Sequence, residues 1–164
     1  MIEPYANGVK MLQYVTGNLL DTSDPYIAHG CNSSARMGAG VALQIARRYP
    51  WVAEKFKETY KWEVGFHGRG DGLPLGAVYE YSQRDAPYRI LNLITQRGYG
   101  RDGKRYLSYD ALDDAFRAVR KKIGTARLSI PRIGAGLGGG SWVIVAAIIE
   151  ENFRDSVVTV WDLS

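Results

Sequence analysis

The stretch that decides the fold is Pro131–Gly140, which reads PRIGAGLGGG. It begins within an apolar run predicted to be a strand, Arg127–Ile133, and leads into a predicted helix, Ser141–Phe153, capped by Ser141. A second junction of the same kind, His29–Val41, has HGCN at the end of a strand and MGAGV at the start of a helix. Both junctions therefore connect a strand to a helix through glycine.

Glycine-rich junctions of this kind favour anion binding. Glycine lets backbone N–H groups approach an anion closely, and the helix dipole favours negative charge at the amino end of a helix. In open α/β sheets, ligands bind where strand carboxyl ends meet helix amino ends. Two such loops side by side would hold a diphosphate from opposite faces. Gly134–Gly139 matches Gly-x-Gly-x-x-Gly by letter, but too little chain follows it for a dinucleotide-binding unit, and no P-loop sequence is present.

The rest of the chain alternates short apolar runs with helical spacing, which predicts α/β architecture. The strands are almost continuously apolar, so helices should cover both faces of the sheet. The predicted strands are Val9–Thr16, Pro25–Ala28, Ala77–Ser82, Tyr88–Thr95, Arg127–Ile133 and Val157–Leu163; the predicted helices are Gly40–Arg48, Trp51–Tyr60, Tyr109–Ile123 closed by Gly124, and Ser141–Phe153; Gly65–Leu75 is predicted to be an exposed loop. No repeat or linker is visible, so residues 1–164 are expected to form a single domain.

Composition restricts the class of protein further. The chain has 164 residues, 46% of them apolar and 23% charged, which is typical of a globular domain with a sizeable core. The lone Cys31 excludes an internal disulfide and fits a reducing compartment. Met1–Lys10 lacks the pattern of a signal peptide, and no apolar run approaches the ~20 residues that span a bilayer. We therefore expect a cytoplasmic protein with no membrane partner.

The charge pattern suits an anionic ligand. The formal net charge is +4, from 21 basic and 17 acidic residues. The basic groups Arg47–Arg48 and Arg120–Lys122 fall on predicted helices and are interpreted as solvated helix faces. His67 has no carboxylate or cysteine at ligand spacing, so no metal site is expected.

Four segments, in this order, resemble the macro domain family: Val15–Leu20 (VTGNLL), Ile27–Asn32 (IAHGCN), Met37–Ala42 (MGAGVA) and Pro131–Leu137 (PRIGAGL). The resemblance extends from about Leu12 to the C-terminus. It is strongest to the branch that contains terminal ADP-ribose protein glycohydrolases, DNA ADP-ribosyl glycohydrolase antitoxins and ADP-ribose-1''-phosphate phosphatases, and Tyr99–Tyr106 also resembles small phage-encoded members. It implies a three-layer α/β/α sandwich around a mixed, mostly parallel sheet of about six strands, with a cleft for ADP-ribose.

The resemblance also implies roles for single residues. Asn18 would bond adenine through its side chain and Leu19 through its backbone, while Asn32 would bond the distal ribose. Trp161 either stacks on the adenine or belongs to the core. The loops that would hold the diphosphate comprise Met37, Gly38, Ala39, Gly40 and Val41 in the first, and Gly134, Ala135, Gly136, Leu137, Gly138, Gly139 and Gly140 in the second.

Two departures from the family pattern bear on catalysis. Gln96 stands where the glycohydrolase branch has a lysine, and Gly138 stands where it has a catalytic aspartate, so lysine-dependent deglycosylation is not expected. His29 is the other candidate: it is either a general base for an attacking water or a histidine that bonds the backbone near the ribose. Asn32 likewise either binds the ribose or forms a turn. The loop Arg101–Arg105 either closes over the distal ribose, receives a modified macromolecule, or is simply solvated.

The sequence therefore predicts a hydrolase of ADP-ribose-1''-phosphate or of ADP-ribose attached to protein or nucleic acid. His29 and Asn32 would orient the water, and backbone donors would stabilise the developing charge. No cofactor or metal is implied, the partners are ADP-ribose or a derivative and an ADP-ribosylated protein or nucleic acid, and a monomer is expected. One alternative is a module that binds ADP-ribose or a related signalling nucleotide unchanged. Another is a single-stranded nucleic-acid binder that uses Arg101–Arg105 and nearby tyrosines.

Overall fold

A computed structural model of the chain describes residues 5–6, 9–10, 12–68 and 70–163. The strands in chain order are β1 (Tyr5–Ala6), β2 (Val9–Lys10), β3 (Leu12–Thr16), β4 (Tyr26–Asn32), β5 (Val78–Tyr81), β6 (Arg89–Gln96), β7 (Leu128–Pro131) and β8 (Val158–Asp162). Six of them form one sheet in the order β3-β8-β7-β4-β6-β5, in which only β5 is antiparallel to its neighbour. β1 and β2 form a separate antiparallel pair. The predicted mixed, mostly parallel sheet of about six strands is confirmed.

Two layers of helices enclose this sheet. The helices are α1 (Gly40–Arg48), α2 (Pro50–Tyr60), α3 (Tyr109–Ile123) and α4 (Trp142–Asn152), with a π-helical continuation of α2 over Lys61–Phe66 and a 3₁₀ turn over Leu19–Asp21. Ile45 and Phe56, from α1 and α2, belong to one buried cluster, and Phe116 and Ile149, from α3 and α4, belong to the other. The predicted three-layer α/β/α sandwich is therefore confirmed.

The alternation of side chains along the central strands builds both cores. In β6, Ile90 and Ile94 join the cluster under α1 and α2, whereas Leu91 and Leu93 join the cluster under α3 and α4. Successive strand residues point to opposite faces, so a strand that is apolar at nearly every position is buried on both sides. This is why the apolar runs show no simple polar–apolar alternation.

Helix α3 has the bounds that its sequence predicts. The Ser108 hydroxyl accepts a hydrogen bond from the Ala111 backbone N–H at 3.1 Å, and Gly124, at φ 60°, ends the helix. Ser141 also occupies the N-cap position of α4, but its side chain makes no capping bond, and its backbone N–H donates to the Tyr109 hydroxyl at 2.8 Å. The prediction that the Ser141 side chain caps α4 is therefore wrong.

Strand β4 runs further than its sequence predicts. The predicted strand ends at Ala28, but β4 continues to Asn32, paired with β6 along its length. β4 lies between β7 and β6 in the middle of the sheet. Its backbone therefore stays paired with β6 through His29–Asn32, a stretch whose sequence is typical of a loop. Gly30 permits a close approach here, because a Cβ at that position would lie 3.1 Å from Ile133 Cγ2.

The first strand and β7 also differ from their predicted bounds, and most other ends are shifted by one residue. The predicted first strand, Val9–Thr16, is divided between β2 and β3, and Met11 between them lies outside the described residues. β7 ends at Pro131 and not at Ile133, because the chain turns there into the glycine-rich stretch. Within the described ranges, no helix is long and apolar enough to cross a membrane.

Candidate functional site

The two glycine-rich loops leave the same edge of the sheet. The first loop, residues 33–39, follows β4, and the second loop, residues 132–141, follows β7, the parallel neighbour of β4. The first loop leads into α1 on one face of the sheet, whereas the second leads into α4 on the opposite face. Adjacent strands whose connections go to opposite faces create a crevice at their carboxyl ends, and this is where open α/β sheets bind ligands.

Asn32 organises the first loop through its side chain. Its Oδ1 accepts from the backbone N–H groups of Ser34 and Arg36, both at 3.1 Å, and its Nδ2 donates to the Arg36 carbonyl at 2.9 Å. Ala35, between them, has a φ of 56°, which is rare for a residue with a side chain. These contacts match the turn-forming alternative for Asn32. One amide hydrogen of Nδ2 remains for a ligand, and the ribose-binding role stays a prediction.

The first loop presents backbone donors without acceptors. Helix α1 begins at Gly40, at φ 56°, and its N-cap residue Ala39 has no side chain that can cap it. Among the described residues, no acceptor lies within hydrogen-bond distance of the backbone N–H groups of 37–42. These donors lie at the positive end of the α1 dipole, where an anion is favoured.

The second loop has unpaired donors as well. The Gly140 N–H donates to the Gly134 carbonyl at 2.6 Å, and the Gly139 N–H donates to the Gly136 carbonyl at 3.0 Å. The three successive N–H groups of Gly136, Leu137 and Gly138 have no acceptor in the part of the chain that the structure describes. Consecutive free N–H groups in a loop form an anion-binding concavity. Each loop therefore contributes a set of such donors to the same edge of the sheet.

The second loop requires glycine where it packs against the chain that follows β6. A Cβ at Gly134, which has a φ of 73°, would lie 2.4 Å from Leu107 Cδ2, and one at Gly139 would lie 2.7 Å from the Lys104 carbonyl oxygen. The Gly138 carbonyl accepts from the backbone N–H groups of both Tyr106 and Leu107, at 2.8 and 3.0 Å. The loop after β6 therefore holds the second loop in place.

Gln96 and Gly138, the two departures from the family pattern, lie side by side. Gln96 Oε1 is 3.3 Å from the position that a Cβ would occupy at Gly138, and Gln96 Nε2 donates to the Gly98 carbonyl at 2.7 Å. Neither residue carries an acid, a base or a nucleophile, so this point of the site offers only amide and backbone groups.

His29 lies inside the protein, away from this crevice. Its side chain is 1% exposed, and its Nε2 lies 2.6 Å from Asn92 Oδ1. Burial lowers the pKa of His29 from 6.5 to about 4, although the bond to Asn92 raises it in part. Cys31 Sγ is 3.7 Å from both ring nitrogens, and burial raises the pKa of its thiol. A buried neutral imidazole lacks the access to water that a general base needs, so this placement does not support the catalytic role predicted for His29.

Asn18 follows β3, which lies two strands from β7 in the sheet, and it lies at the same edge as the two loops. Its Oδ1 accepts from the Leu20 N–H at 2.9 Å, its Nδ2 has no hydrogen-bond partner among the described residues, and Leu19 is buried. Asn18 belongs to a cleft of about 540 Å³ lined by Gly17, Asn18, Leu20, Gln44, Arg47, Arg48 and Leu163. This cleft is called the Asn18 cleft below.

The sequence interpretation missed six residues that line the Asn18 cleft: Gly17, Leu20, Gln44, Arg47, Arg48 and Leu163. It places the two arginines on a solvated helix face. The signal that could have found Gln44 and the two arginines is their position on α1, the helix that begins at the first loop.

Trp161 has the position expected of a core residue. A Cβ at Gly17 would lie 3.3 Å from the indole ring, and Trp161 Nε1 donates to the Ser129 hydroxyl at 3.1 Å. The ring packs against the cluster under α1 and α2 and is not part of the lining of the Asn18 cleft. These contacts favour the core alternative over adenine stacking.

The charged loop after β6 is braced by Tyr106. Positions Gly98 and Gly100 lie against the Tyr106 ring, and the Tyr106 hydroxyl donates to the Asp102 carboxylate at 2.9 Å. This bond lowers the pKa of Asp102. Arg101 is exposed, as the solvated alternative expects, but the loop also contacts the second loop.

Among the described residues, no group of three His, Cys, Asp or Glu side chains could hold a metal ion.

A known family model matches this chain. The match agrees with the sheet order, with the crevice at the carboxyl ends of β4 and β7, and with the two glycine-rich loops. The model of the Macro domain covers residues 28–149, about three quarters of the chain. The chain belongs to the macro domain family.

Relatives of this macro domain cover most of its length. A 17.5 kDa protein of Enterobacteria phage T4 is 32% identical over 148 residues, covering 85% of this chain and 88% of the relative. The human ADP-ribose glycohydrolase OARD1 is 30% identical over 158 residues, covering 93% and 91%. The DNA ADP-ribosyl glycohydrolase of Mycobacterium tuberculosis is 28% identical over 146 residues, covering 88% of this chain but 39% of that relative. The macro domain described here thus spans about two fifths of the length of the mycobacterial protein.

Solved structures agree with the macro domain fold. A macrodomain protein of Streptomyces coelicolor superposes with a TM-score of 0.73 at 27% identity, covering 92% of this chain and 98% of that one. The macrodomain of Mycobacterium tuberculosis DarG gives a TM-score of 0.74 at 23% identity, covering 94% and 99%. The second likeness concerns the fold alone.

Proposed function

We propose that this macro domain binds ADP-ribose or an ADP-ribose derivative between its two loops and hydrolyses the bond at the distal ribose. The substrate is ADP-ribose-1''-phosphate or an ADP-ribosyl ester or glycoside. The names of two relatives, a DNA ADP-ribosyl glycohydrolase and an ADP-ribose glycohydrolase, support this class of substrate.

The observation that carries the proposal is the pair of unpaired donor sets beside the carboxyl ends of β4 and β7. The backbone N–H groups of 37–42 and of 136–138 find no acceptor among the described residues. Most of these residues are exposed or half-exposed, so their N–H groups are accessible to an anionic ligand, and such donors at a helix amino end or in a loop favour an anion. A diphosphate has enough oxygens to accept from both loops, and the α1 dipole favours its charge.

The remaining parts of the ligand follow from this placement. The adenine would lie in the Asn18 cleft, where the Asn18 Nδ2 donates to a ring nitrogen and the Leu19 backbone is close at hand. The distal ribose would lie beside Asn32, whose loop contacts fix its orientation. Water would attack C1'' of the distal ribose while the bond from C1'' to the attached group breaks. The proton lost by the water would pass through a phosphate oxygen of the substrate to the leaving group, and the loop N–H groups would stabilise the developing charge.

A pair of alanine substitutions tests the binding step. Gly38 and Gly136 have nothing within 4 Å of a new Cβ, and neither has a positive φ, so Gly38→Ala and Gly136→Ala should leave the fold intact. If the diphosphate lies against these loops, each new methyl group occupies space that the diphosphate needs. Calorimetry should then show that the affinity for ADP-ribose is lower by about tenfold or more.

Gly65→Ala is the matched control for this pair. Gly65 also has open space and an ordinary φ, but it lies after α2, away from both loops. Its affinity should equal that of the unmodified chain. No measurable ADP-ribose binding by the unmodified chain would refute the proposed function.

Turnover is tested separately, by phosphate release from ADP-ribose-1''-phosphate and by release of ADP-ribose from ADP-ribosylated protein and DNA. Asn32→Ala should abolish turnover, whereas His29→Gln should retain it, because the buried His29 does not reach the crevice. Tight binding without turnover of any of the three substrates would remove the hydrolase part of the proposal.

The second candidate is a module that binds ADP-ribose without changing it. One observation favours it: Gln96 and Gly138 meet where the glycohydrolase branch is expected to have its lysine and aspartate, and neither supplies a proton or a nucleophile. For this candidate, calorimetry shows binding and chromatography recovers the ligand intact.

A further inference from the structure

The Asn18 cleft contains more positive charge than an adenosine requires. Its lining combines two leucines, two amides, one glycine and two arginines, Arg47 and Arg48, and no carboxylate. Leucine side chains and amide groups suit a purine, because Asn and Gln match the hydrogen-bonding edge of adenine. An uncharged nucleoside does not require the positive charge of the two guanidinium groups.

Both arginines are exposed, and no described acidic residue forms an ion pair with either of them. In the described part of the chain neither Arg47 nor Arg48 forms an ion pair; the contact resolved for Arg48 is with the Tyr49 ring, 6.0 Å from the guanidinium carbon. Asp21, which lies near Asn18 in the sequence, is not part of the cleft lining. The described lining of the cleft therefore presents two arginines and no carboxylate to its occupant.

The arginines lie at the opposite end of α1 from the diphosphate donors. Helix α1 runs from Gly40 to Arg48, and at 1.5 Å per residue this separates Gly40 from Arg47 by about 10 Å. A ligand that contacts the amino end of α1 with its diphosphate and Asn18 with its base thus extends toward the arginine pair. Cations in the last turn also compensate the helix dipole, but that role does not require both to line one cleft.

We propose that the Asn18 cleft binds a phosphate monoester on the 2′ or 3′ oxygen of the adenosine ribose, with Arg47 and Arg48 as its partners. The ligand class is then an ADP-ribose phosphorylated at its adenosine end. Guanidinium groups bind phosphate oxygens through charge-assisted hydrogen bonds, often in pairs. This inference rests on the proposed function, because it uses the ADP-ribose orientation given there.

Calorimetry with three ligands at low salt tests the proposal. The ligands are ADP-ribose, its 2′-phosphate and its 3′-phosphate, and one of the phosphorylated forms should bind about tenfold tighter than ADP-ribose. In the Arg47→Gln, Arg48→Gln double variant that advantage should shrink to about twofold or less. The control Arg84→Gln, on the turn between β5 and β6, should keep the full advantage.

The outcomes separate the two proposals. If ADP-ribose binds but neither phosphorylated form binds tighter, this inference fails and the proposed function stands. If the advantage persists in the double variant, the assignment to the two arginines fails. If none of the three ligands binds, the proposed function itself fails. The methyl ester of the 2′- or 3′-phosphate is a phosphodiester. If it binds as tightly as the monoester, the assignment to a monoester fails, and the ligand is the phosphodiester of a nucleic-acid strand.

Discussion

His29 and Asn92 form a polar pair inside an apolar layer. Asn92 is fully buried, its Oδ1 meets His29 Nε2, and its Nδ2 has no partner in the described part of the structure. A buried polar atom without a partner destabilises the fold, and a buried charge would destabilise it further. The pair therefore makes the stability of the fold sensitive to acid.

We expect the free energy of unfolding to fall as the pH drops from about 6.5 to about 4. The unfolded chain protonates His29 near 6.5, whereas the folded chain resists protonation until about 4. The contribution is complete above the unfolded pKa and is lost below it, by about 3 kcal/mol in total. Urea titrations at several pH values measure it. His29→Gln should flatten this part of the profile, and the control His67→Gln, an exposed histidine, should follow the unmodified chain.

Gly134 and Gly136 lie two positions apart, but substitution by alanine should destabilise the fold much more at Gly134. Gly134→Ala combines a positive φ with a contact of 2.4 Å to the buried Leu107, so we expect a loss of about 3 kcal/mol. Gly136→Ala points into open space and should change stability by less than about 0.5 kcal/mol. Equal urea midpoints for the two variants would contradict the packing described for the second loop.

The sequence predicts the parts of the site that consist of backbone groups, but not the parts that depend on how the elements pack together. The two loops are predictable because their binding groups are backbone N–H groups, and glycine at a strand-to-helix junction marks such backbone directly in the sequence. The place of Arg47 and Arg48 in the Asn18 cleft is not predictable, because the sequence shows that they lie on a helix but not what that helix faces. The sequence assigns His29 to the crevice because it precedes Asn32, yet β4 continues past it and turns its side chain into the core.

Helices are easier to predict than strands in this chain. The predicted bounds of α3 are the observed ones, because its apolar residues recur at helical spacing and Gly124 closes it. The sequence does not predict the π-helical continuation over Lys61–Phe66, because the glycines and charges of the stretch that begins at Gly65 favour a loop. The predicted β4 is too short because its length is fixed by pairing with β6, which a local pattern does not record.

Two serines at equivalent helix positions should differ in their contribution to stability. Ser108 caps α3 through its hydroxyl, so Ser108→Ala should lower the free energy of unfolding by about 1 kcal/mol. Ser141 holds the same position in α4 without such a bond, and Ser141→Ala should have an effect near zero. Chemical denaturation of both variants measures the difference, and a larger loss for Ser141→Ala would show that α4 depends on a cap.

At the scale of the whole molecule, ligand binding should raise thermal stability. At a concentration of ADP-ribose 100 times its Kd, the folded state gains about 2.7 kcal/mol. For a chain of 164 residues this corresponds to a rise in Tm of about 5–10 °C. Differential scanning calorimetry measures the shift, and the Gly136→Ala variant at the same ligand concentration should show a smaller one. No shift in the unmodified chain would contradict binding between the loops.

The placement of the two loops on connections to opposite faces has a mechanical consequence. The first loop is continuous with α1 and the second with α4, and the sheet separates these helices. One small molecule bonded to both loops would tether the two outer layers at a point where the polypeptide itself provides no covalent link. Amide exchange should then slow in α1 and α4 together on saturation, as though a removable crosslink had been inserted.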